Sequence, residues 1–167
     1  PNPPIINGAD VYSKGPLPRE WAKWRGHYTH GDSVILSYTV GASGVLELPS
    51  FANGIFQRQF EITRSPSKSP MSLLACEVPG ATGSVKGNVA LLEKDGHITG
   101  VAVLGSGVEL KAENGRIIAT VLSPLPTNHF HLGIWSGPKV DVGKLYQFAK
   151  MKIKARTPVD LTKGGPA

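Results

Sequence analysis

Hydrophobic and polar positions alternate with period two over much of the chain, in runs of strand length. In Ser33 to Val40, the residues Val34, Leu36, Tyr38 and Val40 fall on one side while Ser37 and Thr39 fall on the other, as a half-buried strand requires. Phe56, Phe60 and Ile62 alternate with Gln57, Gln59 and Glu61, and Val108, Leu110 and Ala112 alternate with Glu109, Lys111 and Glu113. Met71 to Val78 and Val89 to Leu92 are more evenly apolar, which predicts central strands covered on both faces. Asp95-Gly96 and Asn114-Gly115 predict two tight hairpins, because both central positions of such a turn need positive φ. The first joins Val89–Lys94 to His97–Leu104, and the second joins Val108–Glu113 to Arg116–Leu122. Gly41 to Gly44 predicts a looser hairpin into Val45–Leu48, and Ser65 to Pro70 reads as a loop.

The five prolines among residues 1–18 predict an extended arm. Arg19 to Arg25 reads as one or two helical turns that lay Trp21 and Trp24 on one side, closed by Gly26. About nine or ten short strands with turn signals between them predict an all-β antiparallel sandwich, with a jelly roll as one form of it. The expected organisation is an arm over residues 1–26, a sandwich over 27–156, and a linker toward a following domain over 157–167.

Composition adds limits. The 167 residues fit one domain. Their 20 glycines and 14 prolines make about a fifth of the chain, against a usual share of roughly 12 %. A single cysteine, Cys76, excludes an internal disulfide, a four-cysteine zinc site and covalent c-type haem attachment, so no cofactor is expected in this chain. No apolar stretch reaches the roughly 20 residues of a membrane helix, and membrane insertion is not expected.

The formal charge is +6. Most of it comes from Lys139 onward, where Lys139, Lys144, Lys150, Lys152, Lys154, Arg156 and Lys163 face only Asp141 and Asp160. Lys150, Lys152, Lys154 and Arg156 alternate with Met151, Ile153 and Ala155, which predicts a strand with a cationic face. The simpler reading of that face is an edge strand kept from association by its lysines; the functional reading is an anion-binding stripe. Nucleic acid is not the expected partner, since no aromatic residues interleave with the cations.

Candidate chemistry is sparse. No phosphate loop, nucleophile elbow or His-Glu-x-x-His pattern occurs, so no catalytic or metal-binding set is nominated. The most suggestive stretch runs from His129 to Trp135. There, period two puts His129, His131 and Trp135 on one face as a candidate ligand surface, and Phe130, Leu132 and Ile134 on the core side. Gly133 leaves a gap that suits either a shallow groove or a close approach. His27 and Tyr28 join Trp21 and Trp24 as candidate docking residues. Arg58 lies on the face of Phe56 and Phe60, where a buried charge needs an acid or carbonyl acceptors; the expected place is the sandwich rim, with its head in water. Cys76, among Leu73, Leu74, Ala75 and Val78, reads as an inert core thiol.

The block from Gly15 to Gly41, containing Leu-Pro-Arg-Glu-Trp-Ala-Lys-Trp-Arg-Gly-His-Tyr-Thr-His-Gly-Asp-Ser-Val-Ile-Leu-Ser-Tyr-Thr-Val, and then Val45 to Pro49, resembles an uncharacterised domain of large exported proteins of planctomycetes and their relatives. Phe56-Gln57-Arg58-Gln59-Phe60 and Lys163-Gly164-Gly165-Pro166 are similar to later parts of that domain. In those proteins it precedes a β-propeller and c-type cytochrome modules. The resemblance implies a periplasmic or extracellular location and neighbouring domains of the same polypeptide as partners. It carries no catalytic residues.

The leading expectation is therefore a non-catalytic module that docks to, or presents ligand to, its neighbours. A carbohydrate-binding module for acidic polysaccharide, with Trp135 stacking and the terminal lysines supplying charge, is the alternative. A lyase or hydrolase domain is the third.

Overall fold

The computed structural model describes residues 20–63, 70–122, 126–152 and 157–163. Among these, 66 % lie in strands and 11 % in helices, in two antiparallel sheets that do not close into a barrel. The expected sandwich is what forms.

The strands are β1 (Ala22–His30), β2 (Ser33–Val40), β3 (Ser43–Ala52), β4 (Ile55–Thr63), β5 (Met71–Glu77), β6 (Thr82–Lys86), β7 (Val89–Lys94), β8 (His97–Gly105), β9 (Val108–Glu113), β10 (Arg116–Val121) and β11 (Thr127–Pro138). Two short helices follow, α1 (Gly143–Phe148) and α2 (Pro158–Thr162). The large sheet runs β1-β2-β3-β4-β11-β8-β7-β6 and the small one β5-β10-β9. Both predicted tight turns form, with φ of 50° and 75° at Asp95-Gly96 and 51° and 71° at Asn114-Gly115. The same chemistry at Asn53-Gly54, φ 55° and 76°, turns β3 into β4.

The main core lies between the sheets. Phe60, Phe130, Leu132, Leu92 and Val101 of the large sheet meet Leu110, Ile117, Ala119 and Val121 of the small one. Phe60 and Phe130 stack with ring centroids 5.0 Å apart. A second cluster covers the outer face, where Trp135, Ile55, Ile98 and Ala102 pack under Leu145 and Phe148 of α1. Two glycines make the seat for that helix. A Cβ at Gly100 would lie 2.5 Å from Leu145, and one at Gly133 would lie 2.4 Å from the Phe148 ring. Burying Leu145 and Phe148 contributes about 1.5–3 kcal/mol each, so packing rather than helix propensity holds this single turn and a half.

The sheet edges differ. At β6, Gly83 brings the two sheets together, since a Cβ there would stand 2.5 Å from the Ala112 carbonyl oxygen of β9. At the other end β1, nine residues long, pairs with β2 alone among the described strands.

Several expectations need correction. Residues 22–25 belong to β1, not to a helical turn, so the sheet begins inside the predicted arm. The β1–β2 register shifts between Trp24 and Gly26, a bulge at Arg25 that interrupts the two-residue period. β5 is an edge strand with Leu74 half-exposed, not a central one. On β2, Ile35 of the opposite face is the fully buried residue, while Val34 and Val40 remain exposed, because α2 packs over β1 to β4 on that side. Residues 158–162, predicted as linker, form α2, started by a capping box of Thr157 and Asp160. Lys150 sits in the turn after α1, and Lys152 lies in no strand; Lys154 falls outside the described residues. The cationic strand is absent from residues 150–152, where the turn that closes α1 bonds the Lys150 and Met151 N–H groups back to Gln147 and Phe148.

Candidate functional site

On the inner face of the large sheet the register sets Glu47 opposite Leu36 on one side and Phe60 on the other. Tyr38 and Arg58 therefore reach Glu47 from diagonal positions on the flanking strands. Arg58 donates to both carboxylate oxygens, Nε to Oε1 at 2.7 Å and Nη2 to Oε2 at 3.1 Å. The Tyr38 hydroxyl donates to Oε2 at 2.7 Å. The guanidinium lies 4.9 Å from the Phe60 ring centroid, a cation–π contact. The side chains of Arg58 and Glu47 keep 19 % and 7 % exposure. Arg58 thus has its charge paired inside the sheet face and not held in water at the rim, which corrects the expectation from sequence.

Electrostatics follow from that arrangement. Burial, and after it the Glu47 carboxylate, push the Tyr38 hydroxyl well above its ordinary pKa. Tyr38 stays a donor, both oxygens of Glu47 are engaged, and the opposite charges neutralise one another. Such a cluster fixes strand register and surface shape, and it offers no spare base. Beside it an apolar slot of about 110 Å³ runs between the sheets, lined by Tyr38, Val45, Phe60, Met71, Leu73 and Phe130.

The three residues nominated on β11 do leave the core side, where Phe130 and Leu132 are buried. They do not make one open surface. Trp135 is 4 % exposed beneath α1, so it cannot stack on a ligand; a helix that periodicity did not reveal covers it. Gly133 admits the Phe148 ring, which fills the gap left open by sequence. His131 is part-buried, and burial lowers its pKa. His129 is exposed, with Nδ1 3.8 Å from Glu61 Oε2. Glu61 is buried and accepts the Val159 N–H of α2 at 3.1 Å, which ties the sheet to a residue 98 positions away. Among the described residues no group of three or more His, Cys, Asp or Glu side chains is placed to hold a metal ion.

The four docking candidates lie at or next to the sheet edge. Trp24 faces Tyr38, and His27 faces Leu36, so both stand on the inner side; Tyr28 faces Ile35 on the outer side. A strand therefore splits what a helix would have gathered. Trp24 is 58 % and Tyr28 45 % exposed. Trp21 is part-buried, and its carbonyl accepts the Gly41 N–H at 2.8 Å, fastening the start of β1 to the β2–β3 turn. Burial pushes the Cys76 thiol up to about 11, in keeping with an inert role.

Among the described residues, these features define an all-β sandwich with an aromatic edge strand that pairs on one side and a self-neutralised polar cluster behind it. Residues 3–47 match the model of a domain of unknown function, DUF6797, about a quarter of the chain, ending at Glu47 within β3. No curated protein matches the chain.

Proposed function

We propose that this chain is a non-catalytic docking module of an exported polypeptide, and that β1 carries its docking surface. The observation behind this reading is the exposure of Trp24 and Tyr28 on opposite faces of an edge strand, where large amphipathic rings serve contact better than folding. His27 adds a polar tip beside Trp24. The pairing of Glu47 with Arg58 and Tyr38 supports recognition over acid–base chemistry, because each group is spent on its neighbours. The resemblance of the Gly15–Pro49 block to domains placed before a propeller supplies the expected partner and a periplasmic or extracellular setting.

The test is surface plasmon resonance of this chain against the propeller module that follows such domains, with Trp24→Ala as the variant. Loss of an exposed aromatic anchor is expected to weaken binding by about tenfold or more. Unchanged affinity removes β1 from the proposal. The acidic-polysaccharide reading loses Trp135 as its stacking residue; its remaining test is quenching of tryptophan fluorescence by sulfated or uronic glycans.

A further inference from the structure

We infer that β1 takes its partner by strand addition and that the added segment is an extended, acidic stretch of polypeptide. The inference rests on the docking reading and goes further, to the chemistry of the partner. Strand β1 pairs with β2 alone among the described strands, so along nine residues one row of backbone donors and acceptors has no sheet partner there. The opposite end of the same sheet is five residues long, and there Gly83 brings its strand against β9; β1 is the longer edge and, among the described strands, the open one.

Side chains choose the partner. Lys23 and Arg25 are exposed on β1, His27 and His30 add imidazoles, and no carboxylate lies within Ala22–His30. Glu20 and Asp32 lie outside the strand, beyond its two ends, and three acids on neighbouring elements are committed elsewhere. Glu47 holds Arg58 and Tyr38, Glu61 accepts from α2, and Asp160 is bound by Thr157 and Lys163. A second copy of the chain pairing through β1 would gather the Lys23 and Arg25 cations of both copies on one two-stranded ribbon, which disfavours it. An acidic strand meets these cations, and its apolar alternate positions meet Trp24 on one face or Tyr28 on the other.

The experiment uses the whole chain and two capped synthetic peptides, one alternating Val with Glu and one alternating Val with Lys. Binding is read by tryptophan fluorescence and by amide-exchange protection of residues 22–30. The Glu peptide is expected to protect β1 and the Lys peptide to leave it unprotected, with affinity falling about tenfold between 0.1 and 1 M salt as the Debye length shortens. Lys23→Glu with Arg25→Glu should reverse the preference. Equal protection by both peptides, protection by neither, or no effect of the charge reversal overturns strand addition by an acidic segment. Binding that appears only after residues 1–19 are removed overturns it in favour of the chain's own N-terminal segment. The two readings fail separately: docking that depends on Trp24 without any charge preference sinks this inference alone, and docking indifferent to Trp24 sinks the reading it rests on.

Discussion

Arg58 and Glu47, on adjacent strands and two residues out of direct opposition, close a two-point ion pair that Tyr38 completes from the far side. The pair is mostly withdrawn from water, so removing one member leaves the other charge stranded. Glu47→Ala should cost roughly 3 kcal/mol, and Tyr38→Phe about 1–2 kcal/mol, by guanidinium denaturation. A loss below 1 kcal/mol for Glu47→Ala would show that Arg58 finds water unaided.

The seat of α1 has no room for a methyl group on β11. In Gly133→Ala the new Cβ meets the ring of Phe148, which is itself 3 % exposed, so the ring and with it α1 must shift. About 1–3 kcal/mol should be lost, and emission from Trp135 should shift to longer wavelength as α1 lifts. Wild-type stability and spectrum would mean that the helix slides at no cost.

Glu61 holds α2 through one hydrogen bond across the chain. In Glu61→Ala the Val159 amide loses its acceptor, and its hydrogen exchange should quicken on the order of tenfold while the amides of β7 and β8 keep their protection. Unaltered exchange at Val159 would assign the hold to Pro158 packing alone.

His131 gives a pH dependence of known sign. Its folded pKa lies below the ordinary 6.5 because burial disfavours the imidazolium. The unfolded chain therefore binds the proton more readily. The stability tied to a neutral His131 is present above pH 6.5 and is lost as pH falls below it. Denaturation midpoints at pH 8 and pH 5 should differ less in His131→Asn than in the wild type; equal differences would exclude His131 as a contributor.

Much of the sandwich is legible from alternation and turn chemistry. The bounds of β2, β7 and β9 coincide with the predicted ones, because a two-residue period ends there against Gly, Asn-Gly or Asp-Gly signals. β1 was obscured at its start: Trp21 and Trp24 stand three residues apart, the spacing by which a helix is recognised, although Trp21 lies in the turn ahead of the strand and Trp24 within it. Helix α1 is six residues long, too short for a 3.6-residue period to stand out. Arg58 announced its need for an acid through its position among phenylalanines. Which acid would answer depended on the β3–β4 register, a property of two strands that neither carries alone. The outward direction of Trp135 was readable, whereas the helix lying over it was not.

The contact of Gly83 with Ala112 makes the sandwich a book bound along one side. Its spine is β6 against β9, and its fore-edge is β1, at the other end of the large sheet. Thermal opening should start at the fore-edge, so the aromatic margin of β1 is the part of this protein whose shape a bound partner has most freedom to alter.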